Sequence, residues 1–158
     1  MTDARTVLPR SAVSWLVVGD QTWPVWHAVV DSRIYVIGGP GEQPVPELPE
    51  QLQVILRTKD TRAKVGPVPA RALRLHPGVP AWQPAVDALL AARQGVPSEA
   101  LLDRWKARCA VWAIDIDLDA HLPRPAPDEH SGARVAAATT ATTDRWRPRH
   151  LGRPRRRR

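Results

Sequence analysis

The 158-residue chain predicts a mainly β domain, a small antiparallel barrel with two helices covering one end, followed by a basic tail without regular structure. Three observations carry that prediction. Short apolar, β-branched and aromatic runs recur between turn residues over the first half of the chain. The hydrophobic period then changes from two to about 3.6 for two helix-length stretches and returns to two for a last strand. Beyond residue 120 large apolar residues almost vanish. Strands segregated from helices argue against an alternating doubly wound sheet, and closing the strands into a barrel hides their edges.

Residues 12 to 38, "AVSWLVVGDQTWPVWHAVVDSRIYVIG", read as three strands broken at "GDQ" and at "DS". Asp31-Ser32 is a weaker hairpin signal than Asp-Gly. "GGPG" (Gly38 to Gly41) ends the third strand, and the proline-rich "EQPVPELPEQ" cannot prolong it. "LQVILR" is a further strand. In "RTKDTRAK", residues 57 to 64, a two-residue turn at Asp60-Thr61 places Lys59 opposite Arg62 and Arg57 opposite Lys64. Like charges so opposed destabilise a hairpin, so the cluster is either an anion site or a solvated tip. In the extended run "RAKVGPVPARALRLH" Pro67 and Pro69 remove ladder donors, which requires an edge position or a bulge near Gly66.

From Ala81 the helical period sets in, with Trp82, Val86, Leu89 and Leu90 on one face, Pro84 inside the first turn, and Gly95 and Pro97 as the stop. Ser98 is the expected N-cap of a second helix that aligns Leu101, Trp105 and Cys109. The last strand, "AVWAIDID", buries Trp112, Ile114 and Ile116 and turns Asp115 and Asp117 outward.

The division is therefore a folded domain over residues 1 to 120 and a tail over 121 to 158. The first holds 13 Lys/Arg against 13 Asp/Glu, so the whole formal charge of +7 belongs to the tail. Pro, Ala, Thr and Arg cannot bury enough surface to offset the entropy of ordering, which predicts a disordered tail. Any nucleic-acid binding is expected only through its arginine-rich end, residues 145 to 158, by counterion release. Absent Phe and Asn, scarce Lys and abundant Ala, Arg and Pro suit a GC-rich bacterial genome. A single cysteine precludes an internal disulfide, there is no export signal, and no segment reaches the roughly 20 apolar residues of a membrane span. A cytoplasmic, non-membrane protein is expected.

No nucleophile, phosphate-loop or zinc-hydrolase motif appears, so neither a catalytic side chain nor a metal site is assigned. Three features remain open. "GGPGEQ" is either a phosphate-approaching loop or an ordinary one. His27 is a ligand for a planar molecule, a proton carrier, or a structural residue whose ring nitrogens are satisfied. Trp15, Trp23, Trp26 and Trp112 line a pocket or fill the core, core being the stronger reading for Trp112.

The succession "PVWHAVVDSRIYVIGG", "LPEQLQVIL", "AKVGPVPARALRL" and "AWQPAVDALLAAR" resembles the flavin-binding split-barrel proteins, the pyridoxamine-phosphate-oxidase-like and deazaflavin-dependent groups, over roughly residues 12 to 117. The resemblance implies a Greek-key split barrel, a homodimer, and FMN or a deazaflavin held at the dimer interface by an oxidoreductase whose cofactor carries the hydride. It places Trp26 and His27 at the ring system and Gly38, Gly39, Gly41 and Gln43 at the cofactor phosphate, with Arg57 and Lys64 supplying the cations that loop lacks. The alternatives are a barrel without cofactor that binds a ligand or a protein, and nucleic-acid binding through the tail.

Overall fold

A computed structural model describes residues 4–58 and 64–120. The tip of the "RTKDTRAK" hairpin, with Lys59, Asp60, Thr61 and Arg62, and the whole tail lie outside the described residues. Seven strands form one antiparallel sheet: β1 (Val13–Val18), β2 (Gln21–Trp26), β3 (Ala28–Val30), β4 (Arg33–Gly38), β5 (Gln51–Arg57), β6 (Lys64–Leu75) and β7 (Ala110–Ile116), in the spatial order β2-β1-β5-β6-β7-β4-β3. A short turn of helix, α1 (Ala4–Val7), precedes β1, and α2 (Trp82–Ala92) and α3 (Glu99–Arg108) lie between β6 and β7. The architecture is the mainly β, barrel-like class that the sequence predicts.

The connectivity requires the sheet to curl. β2 and β3 are its two edges, yet only His27 separates them in the chain. Laid flat, seven strands would put those edges roughly 29 Å apart, whereas the two peptide steps from Trp26 to Ala28 reach no more than about 7 Å. The chain therefore crosses from one edge to the other at His27, and the expectation of three strands over residues 12 to 38 becomes four. His27 lies at a corner instead of inside a strand, because no single strand can serve both edges.

Local chemistry accounts for the turns. Asp31 (φ 48°) and Ser32 (φ 67°) are both left-handed, the pair of positive φ values that a two-residue hairpin needs. In β6 the register against β5 shifts between Val54 and Leu56, opposite Gly66, so the expected bulge is present although the strand is central and not at an edge. Gly66 has φ +117°, and a Cβ there would stand 2.7 Å from the Val54 carbonyl oxygen. Ser98 caps α3 by accepting a hydrogen bond from the Leu101 N–H at 3.2 Å.

Two cores result. Leu16, Val25, Ile34, Val36, Val54, Leu56, Val68, Trp112 and Ile114 fill the barrel interior, and Ala4, Val7 and Leu8 belong to the same cluster. The sequence pattern carried no periodic signal for that N-terminal turn. Tyr35, Ile37, Leu75, Val111 and Ala113 face the other way, under Trp82, Val86 and Leu89 of α2 and Leu101 and Trp105 of α3. Both faces of β4 and β7 are thus buried, whereas β1 and β5 bury only alternate residues, such as Ser14, Leu16, Leu52, Val54 and Leu56. No described helix is long and apolar enough to cross a membrane.

Candidate functional site

The corner at His27 opens into a groove of about 960 Å³. Its walls come from the segment leading into β1 (Ser11, Ala12, Val13), from Trp26 through Val30, from the loop residues Gly41 to Gln43, and from the C-terminal end of α2 with Ala88, Ala91, Ala92 and Arg93. The side chains that α2 contributes are mostly small, and the half-buried Trp26 lines the same groove. An apolar concavity with a few polar groups is what a small-molecule site requires.

The loop after β4 is pinned through two adjacent residues. Gln43 points at the strands: its Oε1 accepts from the Trp26 N–H at 2.7 Å, and its Nε2 donates to the carbonyls of Trp26 at 2.8 Å and Ile37 at 3.0 Å. Glu42 points at the helices, and its side chain is 3% exposed. It accepts from Trp105 Nε1 at 2.9 Å, Arg104 Nη2 at 3.0 Å and Arg93 Nε at 3.3 Å. Burial by itself would raise the Glu42 pKa, but the indole and the two guanidinium groups together hold it below the ordinary carboxylate value. One carboxylate facing two arginines leaves this three-residue cluster, of which Glu42 and Arg93 line the groove, with a net positive charge. Gly41 (φ +80°) lets the backbone lie against Arg104, since a Cβ would meet the guanidinium carbon at 2.9 Å.

His27 is 4% exposed, and among the described residues neither ring nitrogen has a hydrogen-bond partner. The backbone of Ser11 and Val25 lies close enough to favour the protonated ring without satisfying either nitrogen. Burial outweighs that attraction and lowers the pKa to about 4, so the imidazole is neutral near pH 7. The structural reading of His27 expects satisfied ring nitrogens, and among the described residues neither is satisfied. Cys109, half-buried beside Pro40, has its thiol pKa raised by burial and by the Glu42 charge, which leaves it protonated.

Of the eight residues assigned to a cofactor by resemblance, the groove gathers Trp26, His27, Gly41 and Gln43. Gly38 is buried at the end of β4, where Val45 occupies the space a Cβ would take, and Gly39 lines a separate cavity of about 380 Å³ with Trp23 and Pro40. Arg57 and Lys64 are paired across β5 and β6, as expected, but on the outer face: the Arg57 guanidinium lies 5.9 Å from the centre of the Trp15 ring. Neither lines the groove. Trp112 is core. The loop also spends its own donors, since the Gly39 N–H bonds to the Gln43 carbonyl and the Glu42 N–H to the Gly39 carbonyl. With Glu42 facing inward, "GGPGEQ" is a poor phosphate cradle, and its polar residues are occupied as fasteners.

Arg93, Arg104 and Trp105 were not among the sequence-derived site residues. The available signal was Glu42 itself, a carboxylate in a glycine loop that requires cationic partners once it is buried. Among the described residues no group of three His, Cys, Asp or Glu side chains could hold a metal. No family model, no curated protein and no solved structure matches the chain.

Proposed function

We propose that the protein is a ligand-binding split barrel whose groove takes the ring system of a flavin or deazaflavin, FMN among them, and that it serves as an oxidoreductase scaffold. The observation that carries this reading is the groove itself, whose lining combines the Trp26 indole, three alanines of α2 and Arg93. Such a lining suits a flat ring better than a branched ligand. Arg93 uses Nε for Glu42 and Nη1 for the Gln94 carbonyl, which leaves Nη2 for an anionic ring substituent. A bound ring of this class supplies the hydride chemistry. The chain's own residues position it and exclude water.

The dimer belongs to the same proposal. Val13 is 42% exposed beside the half-buried Trp15, Val17 and Ile55 on the outer face of β1 and β5, and a second copy covering that face would remove them from water. A cytoplasmic location goes with it, as does the absence of a catalytic side chain. A specific observation favours the second reading, a barrel that binds a ligand without a phosphate-bearing cofactor: the Gly39 and Glu42 N–H groups are consumed internally and the Glu42 side chain is buried. Visible spectra recorded during titration with riboflavin, FMN and a deazaflavin decide between them. A perturbed, saturable band with FMN or the deazaflavin supports the cofactor reading. Binding of riboflavin alone favours the second, and unchanged spectra with all three remove the first.

A further inference from the structure

The strand registers fix which backbone groups at the corner are free. β1 and β2 meet at the two-residue turn Gly19-Asp20, so Val18 and Gln21 form a hydrogen-bonded pair. Alternation along the ladder then makes Val13 and Trp26 a non-bonded pair, whose N–H and C=O groups point away from each other. Trp26 therefore presents both groups at the free edge of β2, and that is where the Gln43 carboxamide binds them, at 2.7 and 2.8 Å.

The same reasoning applies to β3. Val30 and Arg33 flank the two-residue turn Asp31-Ser32 and are hydrogen-bonded; Val29 and Ile34 are the next pair and are not. Val29 thus turns its N–H and C=O toward the free edge of β3, and Val29 lines the groove. β3 pairs only with β4, and among the described residues no other group bonds to that edge of Val29. Two edge residues, three positions apart, offer the same donor and acceptor pair. The protein fills one with an amide of its own and leaves the other facing the groove.

We propose that the Val29 main chain reads a cyclic amide or imide edge, so that the groove's ligand is a planar ring carrying adjacent N–H and C=O groups. This inference rests on the planar-ring reading of the groove. A primary carboxamide presents its oxygen and one N–H on the same side, as a lactam or imide ring does, so the Gln43 contact at Trp26 is an internal example of the geometry required at Val29. The ring donates to the Val29 carbonyl and accepts from the Val29 N–H. A bound ring that covers this pair without matching it would leave both groups unpaired and out of water, which costs more than losing an ordinary contact.

The test uses the full chain with lumiflavin and with its imide-N-methylated derivative, followed by fluorescence titration and by amide hydrogen exchange. The methylated ring, which cannot donate, is expected to bind about tenfold more weakly. With lumiflavin at a hundredfold excess over its dissociation constant, exchange at the Val29 amide is expected to slow by about a hundredfold, while Ala28 and Val30, already bonded to β4, do not change. Equal affinity for the two rings, or unchanged exchange at Val29, overturns the inference and leaves the planar-ring groove standing. If neither ring binds, the planar-ring reading itself fails and the inference goes with it.

Discussion

The two halves of the sheet treat their outer faces differently. β7, β4 and β3 carry a helical layer, under which Tyr35, Ile37, Val111 and Ala113 are as buried as the barrel interior. Among the described residues β2, β1 and β5 carry no such layer, and their outward residues, Val13, Trp15, Ile55 and Arg57, are partly or fully exposed. The groove lies where the covered half meets the bare one, at the single residue that joins their edges. Burial is therefore concentrated on the covered side, the proposed ligand groove lies at the seam, and the outer face of β1 and β5 is the one the proposed dimer would cover.

Substitutions on the two halves should differ most. Trp105→Ala removes a fully buried indole and the donor to Glu42, and about 3–5 kcal/mol of unfolding free energy should disappear in urea melts. Trp15→Ala on the bare face should cost less than about 1 kcal/mol in the same assay. Comparable losses would mean that the bare face is covered in solution, which concentration-dependent melts would then reveal as assembly.

At the seam, Glu42→Ala leaves Arg93 and Arg104 facing a cavity without their counter-charge and should cost about 3 kcal/mol. Acid acts on the same place twice. A neutral, buried His27 with a pKa near 4 binds fewer protons in the folded state than in the unfolded state, where the ordinary value is 6.5. Stability should therefore fall as pH drops from about 6.5 to about 4, by about 3 kcal/mol in all. His27→Met should flatten the urea midpoint over that window. Glu42 is displaced in the same direction: its stabilisation is complete above the ordinary carboxylate pKa and is lost at lower pH, as the folded-state carboxyl itself takes up a proton. A residual acid transition in the His27→Met variant should thus disappear when Glu42 is also replaced by Gln.

Gln43→Ala exposes the Trp26 main-chain pair and should cost about 1–2 kcal/mol, with faster hydrogen exchange at the Trp26 amide as the specific sign. The smallest effect belongs to Arg57→Ala, within about 1 kcal/mol for an exposed cation–π contact. Because Arg57 lies outside the groove, ring affinity should stay within about twofold; a tenfold loss would return Arg57 and Lys64 to the site.

The elements legible in the sequence are those whose periodicity comes from one buried face. α2, α3, β5 and β7 fall where Trp82, Ser98, Val54 and Trp112 indicate. The break at His27 was not legible, because Trp26 and Ala28 continue the alternation of a strand while the chain changes edges between them. The site was half legible for a related reason. Trp26, His27, Gly41 and Gln43 are close in sequence and meet in the groove, whereas Arg93 reaches it, and Arg104 reaches Glu42 beside it, only through the packing of α2 and α3 onto the loop. Arg57 and Lys64 have the right charge for a phosphate, but strand parity places them on the outer face.

The most direct test of a seam built for a flat ring compares riboflavin binding by the natural chain and by Ala91→Trp, where Ala91 is exposed on the groove wall and an indole would occupy the groove without disturbing either core. A saturable perturbed band that weakens at least about tenfold in the variant, with the urea midpoint unchanged, is the predicted result. Equal binding by both proteins would place the ring elsewhere, and no binding by the natural chain would contradict the claim outright.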